Sequence, residues 1–80
     1  MKKMFFYSNV KYLIDNNYQS IYSFIKENKQ LKQNTLQDYY HRENNCASYP
    51  KFENVIIIAD IFNLTLDDLI YNDLSSNESE

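Results

Sequence analysis

The chain contains no glycine, one proline and one cysteine, and it has no basic residue after Lys51. Turns that need a positive φ must therefore use asparagine or another residue, and sheets built on tight hairpins are disfavoured. The lone Cys46 excludes an intramolecular disulfide. No apolar run resembles a signal peptide or is long enough to cross a bilayer, so we expect a cytoplasmic protein that does not insert into a membrane.

Several kinds of chemistry also lack the residues they need. His41 is the only histidine, and together with Cys46 it lacks two further ligands at zinc spacing. No glycine-rich loop is present to cradle a phosphate, and no pair of carboxylates marks a catalytic pocket. We therefore predict that the chain is not an enzyme and that it has no metal, no cofactor and no small-molecule substrate.

Length and composition predict one domain. A chain of 80 residues can build only one hydrophobic core, and a content of 44% apolar and 16% aromatic residues can close that core without a metal or disulfide. We expect the domain to span residues 1–74. The acidic tail, residues 75–80, has no apolar anchor and is predicted to be disordered.

Charge is distributed unevenly along the chain. The total is −3, but residues 1–51 contain all eight bases and four acids, for a net +4, whereas residues 52–80 contain seven acids and no base. This polarity predicts a basic binding half and an acidic half that sets orientation. The alternative is an acidic domain with a chance cluster of lysines.

The spacing of apolar residues predicts an all-α, compact five-helix bundle. The first helix has Ser8 or Asn9 as its N-cap, the second follows Ser20 and stops at Asn28, and the third runs from about Gln33 to Glu43. The apolar positions of these three helices are Phe6, Val10, Leu13, Ile14, Ile21, Phe24, Ile25, Leu36, Tyr39 and Tyr40.

Two further helices are predicted in the acidic half. The fourth has the strongest pattern and should be central to the core, since its apolar residues recur at i, i+3, i+4, i+7 and i+10. They are Phe52, Val55, Ile56, Ala59 and Phe62. Thr65 and Asp68 have the spacing of a capping box, which opens a fifth helix carrying Leu66, Leu69 and Ile70.

Asparagines fall where these apolar patterns break. Asparagine tolerates the left-handed conformation at helix ends, so it is expected to replace the missing glycine there. The positions are Asn16, Asn17, Asn28, Asn44, Asn45, Asn63 and Asn72.

Three segments carry a family resemblance: Asn9–Asn17, Ser20–Tyr40 and Phe52–Ile70. They resemble, respectively, the first helix, the helix-turn-helix core, and the fourth and fifth helices of lambda-repressor-like (Cro/XRE-type) helix-turn-helix domains. The order Ala59, Asn63, Thr65, Asp67, Asp68, Leu69 fits the family's final apolar helix, turn, cap, paired acids and leucine. The resemblance implies a helix-turn-helix fold that binds double-stranded DNA through the major groove.

The helix-turn-helix core departs from the family pattern at three places. Where the family has a glycine turn, this chain has Asn28–Gln30, and one inferred extra residue restores Leu31 and Leu36 to the core. Ile25 replaces a small alanine, so its bulk should push the two helices apart. Finally, Asp38 and Glu43 put negative charge on or near the third helix.

The resemblance also implies which residues would contact DNA. Base readout falls on the start and exposed face of the third helix, where amides can pair with adenine and a threonine methyl can meet thymine: Gln33, Asn34, Thr35 and Gln37. Phosphate contacts fall on a second set: Ser20, Tyr22, Lys29, Lys32, Tyr40, Arg42 and Lys51.

Each assignment has a structural alternative. The amide residues could form an ordinary solvated helix face, Tyr39 and Tyr40 are better explained as core or core-edge aromatics than as stacking platforms, and Lys2 with Lys3 could be a basic arm or a solvated start.

Two functions follow from these patterns. The first is a sequence-specific transcriptional regulator, such as a phage repressor, which binds a palindromic operator as a homodimer. The second uses the same scaffold to bind a protein partner, as a phage or plasmid inhibitor, an antitoxin or an anti-CRISPR-like protein would.

Overall fold

The computed structural model describes residues 4–42 and 49–75. Within these ranges the chain is all-helical and has no strand. The five helices are α1 (Phe6–Asn17), α2 (Ile21–Glu27), α3 (Gln33–His41), α4 (Phe52–Ile61) and α5 (Leu66–Tyr71). The predicted all-α class and number of helices are confirmed for this part of the chain, in which no helix combines the length and apolarity needed to traverse a bilayer.

One hydrophobic core joins the helices. Helix α1 packs against α2, α3 and α5, while α2 also contacts α3, and α4 contacts α5. Aromatic rings build much of this core: Phe6 meets Tyr39 edge-on at 5.4 Å between centroids, and Phe24 stacks on Phe62 at 5.7 Å. Most predicted apolar positions of the first three helices are buried, and Leu13, Ile25 and Tyr40 pack partly buried at the edge of the core.

The predicted N-caps of the two shortest helices are confirmed, but the capping box at Thr65 lacks its return bond, since the Asp68 carboxylate accepts from the Asn72 amide instead. Ser20 precedes α2, and its hydroxyl oxygen accepts from the Ser23 N–H at 3.2 Å. Thr65 precedes α5, and its hydroxyl oxygen accepts from the Asp68 N–H at 3.1 Å. Each cap satisfies a backbone donor that has no partner within its own helix.

The predicted start of α1 is wrong. The N-cap is Phe5, which makes no side-chain capping bond, and neither Ser8 nor Asn9 has that role. Asn9 is instead fully buried, and its amide nitrogen donates to the carbonyls of Leu69 and Asn72, both at 2.7 Å. Its amide oxygen accepts from the Leu74 N–H at 3.1 Å. Asn9 therefore ties α1 to the end of α5.

The predicted buried face of α4 is also partly wrong. Val55 and Ala59 are buried as expected, but Phe52 is 65% exposed and Ile56 is 44% exposed. Ile58, which the spacing did not select, is completely buried. The helix is rotated relative to the prediction because its continuous aliphatic run allows more than one face to pack inward.

Asparagine replaces glycine at only one described helix end. Asn63 has a φ of 57° after α4, and the Leu64 N–H bonds to the Ala59 carbonyl at 2.8 Å, as in a Schellman motif. The same expectation is wrong for the other described asparagines, since no other described residue has a positive φ. Helix α3 also ends earlier than predicted, at His41.

Several predictions lie outside the described residues. They concern Lys2, Lys3, Glu43, Asn44, Asn45, Cys46 and most of the predicted tail, residues 76–80.

Candidate nucleic-acid interface

The turn between α2 and α3, Asn28–Lys32, is built without glycine. The buried Asn28 side chain donates through its amide nitrogen to the Phe24 carbonyl at 2.9 Å. The Asn28 carbonyl accepts from the Leu31 N–H at 3.2 Å, and Leu31 inserts into the core. Because the turn is held at both ends, it fixes the start of α3 relative to α2. Leu31 and Leu36 are both buried, as predicted, but so is Asn28, which the inferred extra residue was to keep out of the core.

The four residues predicted for base readout all lie on the amino-terminal half of α3. Gln33 and Asn34 are exposed, whereas Thr35 and Gln37 are half-buried. None of the four side chains makes a hydrogen bond to a described residue. The two exposed amides can therefore bind a ligand without giving up an internal bond.

Four of the predicted phosphate contacts have exposed side chains. Lys29 and Lys32 belong to the turn, Lys51 precedes α4, and Tyr22 is 67% exposed on α2. The three lysines form no ion pair with a described residue. Their charges are therefore available to an anion in solution.

The other three predicted phosphate contacts already have internal partners. Ser20 caps α2, and the Tyr40 hydroxyl donates to the Asp15 carboxylate at 2.5 Å. The Arg42 guanidinium makes two bonds to the Asp38 carboxylate, at 2.7 and 3.0 Å. DNA contacts from these side chains would have to replace or share those bonds.

The ion pair between Arg42 and Asp38 also changes the electrostatic effect of this acidic residue on α3. Asp38 is exposed on α3, and a lone carboxylate there would repel phosphates. Both of its oxygens accept bonds from Arg42, one turn further along the helix. The negative charge of Asp38 is thus locally compensated.

Tyr40 belongs to a second charge cluster, at the contact of α1 and α3. The Tyr40 hydroxyl bond, reinforced by Lys11, lowers the pKa of the Asp15 carboxyl below its usual value. The same bond with Asp15 raises the pKa of Tyr40. The hydrogen bond from Lys11 to Asp15, at 3.0 Å, likewise raises the pKa of Lys11. This cluster holds Tyr40 by its polar end at the core edge.

A groove of about 540 Å³ runs between the start of α3 and the start of α4. It brings together four of the residues predicted to contact DNA, namely Lys32, Asn34, Thr35 and Lys51. Gln33 and Gln37 do not line it. The remaining lining residues are Gln30, Asp38, Tyr39, Glu53, Asn54 and Ile57. The groove therefore extends from the amino-terminal half of α3 to the start of α4.

Tyr39 lies in this groove and connects its two walls. Its side chain is 6% exposed, and its hydroxyl oxygen accepts from the Lys51 N–H at 3.3 Å and from the Asn54 amide nitrogen at 3.2 Å. The sequence indicated Tyr39 as a core residue, which is confirmed, but gave no signal for its contact with α4. Asn54 was missed for the same reason, because its role depends on a contact between distant segments.

Among the described residues, no group of three or more His, Cys, Asp or Glu side chains could hold a metal ion. No family model, no curated protein and no solved structure matches the chain. What the interface offers chemically is a set of hydrogen-bonding amides beside lysine ammonium groups, a combination suited to base edges and phosphates.

Proposed function

We propose that this chain is a sequence-specific transcriptional regulator that binds double-stranded DNA, with a lambda-repressor-like helix-turn-helix formed by α2, the turn and α3. The observation that carries the proposal is the exposed start of α3, held at a fixed orientation by the hydrogen-bonded turn Asn28–Lys32. In such proteins the second helix enters the major groove with its amino-terminal residues against the base edges.

The side chains at this end of α3 suit direct readout. Gln33 and Asn34 carry an amide that can bond adenine N6 and N7 together, and the Thr35 methyl can contact the thymine methyl. A bidentate contact of this type discriminates between bases by about 1–3 kcal/mol. We therefore expect the target to contain A·T steps under the start of α3.

Phosphate contacts would supply affinity and register. Lys29, Lys32 and Lys51 are exposed and lie on segments adjoining the readout residues, and Tyr22 adds an exposed hydroxyl. Each lysine that neutralises a phosphate adds about 0.9 to the slope of log affinity against log salt concentration. Binding should therefore weaken steeply as salt is raised.

A palindromic operator and a homodimer are part of the proposal. One domain of this size offers a small contact area, and paired half-sites about one helical turn apart would increase both affinity and specificity. As a phage-type repressor, the protein would act in the cytoplasm.

Selection of bound sequences from a random duplex pool tests this proposal. The selected duplex is then titrated with the native chain and with Gln33→Ala and Asn34→Ala, which should each lose about ten-fold in affinity for it. Gln19→Ala is a matched control, since Gln19 is exposed but precedes α2. Recovery of no sequence preference, or equal loss in the control, would exclude specific DNA binding.

Binding to a protein partner is the second candidate function. It is favoured by the exposed apolar residues Tyr49, Phe52 and Ile56 around the start of α4, because exposed apolar clusters mark interaction surfaces. Replacing Phe52 with Ser and, separately, Gln33 with Ala distinguishes the functions. If the biological effect depends on Phe52 and not on Gln33, while duplex binding is absent, the second function is supported.

A further inference from the structure

The groove between α3 and α4 is lined by Tyr39, whose hydroxyl proton no described residue accepts. The Tyr39 oxygen accepts two hydrogen bonds, from the Lys51 N–H and from the Asn54 amide, and no described group accepts the Tyr39 proton. A phenolic hydroxyl can donate as well as accept. Since Tyr39 and both of its partners line the groove, an acceptor bound there could take this proton.

The charges around this hydroxyl favour an anionic acceptor. Lys32 and Lys51 line the groove, and neither ammonium group is paired with a described residue. Of the two acids in the lining, Asp38 is bound by Arg42 and only Glu53 is uncompensated. The lining alone is formally neutral, but with Arg42 pairing Asp38 from outside it the local balance is one positive charge, to which the amino-terminal end of α4 adds a partial positive charge.

We propose that this groove binds one phosphate group, with the Tyr39 hydroxyl donating to a phosphate oxygen and with Lys32 and Lys51 neutralising its charge. The phosphate could come from the backbone of a duplex, in which case the inference rests on the proposed function, or from a small phosphorylated molecule. The chemistry of recognition is the same for both. Adjacent Asn34 and Thr35 make the duplex backbone the source that the placement favours.

Two variants test the site against a matched control. Tyr39→Phe removes the hydroxyl and Lys51→Gln removes one charge. Tyr71→Phe removes a hydroxyl from α5 that does not line the groove. Circular dichroism establishes that each variant is folded. Because Lys51 is exposed, Lys51→Gln keeps the test valid even if Tyr39→Phe is unstable.

The first probe is the selected duplex. Tyr39→Phe and Lys51→Gln should each weaken its binding by about ten-fold, and Tyr71→Phe by less than about two-fold. One backbone phosphate should exist whose replacement by a neutral methylphosphonate weakens binding of the native chain by a larger factor than it weakens binding of Tyr39→Phe. A purely structural role for Tyr39 would not single out one phosphate, so the absence of such a position contradicts the proposal.

The second probe is inorganic phosphate, titrated against chloride at constant ionic strength and followed by the amide NMR signals of Lys51 and Asn54. If the duplex does not bind but phosphate shifts these signals in the native chain and not in either variant, the groove site is supported and the proposed function fails. If neither probe distinguishes Tyr39→Phe and Lys51→Gln from the native chain, the groove does not bind phosphate.

Discussion

Asn9 is the residue on which the contact between α1 and the carboxyl-terminal segment most depends. Its side chain is completely buried and makes three hydrogen bonds, to the carbonyls of Leu69 and Asn72 and from the Leu74 N–H. These partners are 60 to 65 residues away in sequence. A buried polar group destabilises the fold unless it is hydrogen-bonded. Loss of the Asn9 side chain would therefore leave each of these backbone groups without its hydrogen-bond partner.

Replacing Asn9 with Ala should therefore lower the free energy of unfolding by about 2–4 kcal/mol, because backbone groups lose their partners in a buried site. Urea denaturation followed by circular dichroism measures the change. Asn16→Ala is the control, since the exposed Asn16 amide bonds only to the Tyr12 carbonyl within α1. A loss for Asn9→Ala no larger than for Asn16→Ala would show that the α1–α5 bonds contribute little.

The Asp15 cluster gives a second prediction at this scale. A carboxyl whose pKa is lowered by folding stabilises the protein above the pKa it has when unfolded, and this stabilisation is lost as the pH falls through the pKa of the folded state. Asp15 is exposed, so Asp15→Asn should cost less than about 1 kcal/mol at neutral pH.

The difference in the free energy of unfolding between Asp15→Asn and the native chain should disappear in acid. Urea denaturation at neutral pH and at acidic pH measures this difference. NMR titration gives an independent check. Tyr40→Phe should return the pKa of Asp15 toward its usual value, because the Tyr40 hydroxyl is the main cause of the shift. An unchanged Asp15 pKa in Tyr40→Phe would mean that the hydroxyl bond is not formed in solution.

Helix α4 shows at the element scale how burial differs between neighbouring aliphatic residues. Ile58 is fully buried, whereas Ile56, two residues earlier, is 44% exposed. Ile58→Ala should lower the free energy of unfolding by about 2–5 kcal/mol, and Ile56→Ala by less than about 1 kcal/mol. Thermal or urea unfolding of the pair measures the contrast. A larger loss for Ile56→Ala than for Ile58→Ala would mean that α4 packs with the face that its apolar spacing predicts.

What could be predicted from the sequence at this scale depended on whether the signal was local. The Ser20 and Thr65 caps involve residues three positions apart, so their spacing was informative. The face of α4 depends on packing against α5, and the run Val55–Ile58 has apolar residues on every side. The bonds of Asn9 and Tyr39 join distant segments, which a one-dimensional pattern does not encode.

The same distinction applies to the candidate interface. The chemistry and exposure of Gln33 and Asn34 follow from the predicted start of α3, which the structure places at Gln33. Arg42 illustrates what the sequence left open: as a free cation it would contact phosphate, but its position one turn after Asp38 makes it the partner of that carboxylate. Pairing at i, i+4 was available from spacing, whereas the groove with α4 was not.

At the scale of the whole molecule, the two halves of opposite charge should affect DNA binding through position rather than total charge. Exposed charges separated by more than about 10 Å are largely screened at 0.1 M salt. Glu53 lines the groove beside Lys51, whereas Asp67, an exposed acid of α5, does not line it. Both substitutions Glu53→Gln and Asp67→Asn change the net charge by the same amount.

Glu53→Gln should therefore strengthen binding of the selected duplex by about two- to five-fold, since it removes a repulsion next to the lysines proposed to bind phosphate. Asp67→Asn should change affinity by less than two-fold at about 0.1 M salt, where the Debye length is short. Fluorescence anisotropy titrations at several salt concentrations measure both variants. Equal strengthening by the two substitutions would mean that the acidic half affects DNA affinity through its total charge. The groove would then contribute no more to DNA binding than the rest of the acidic surface.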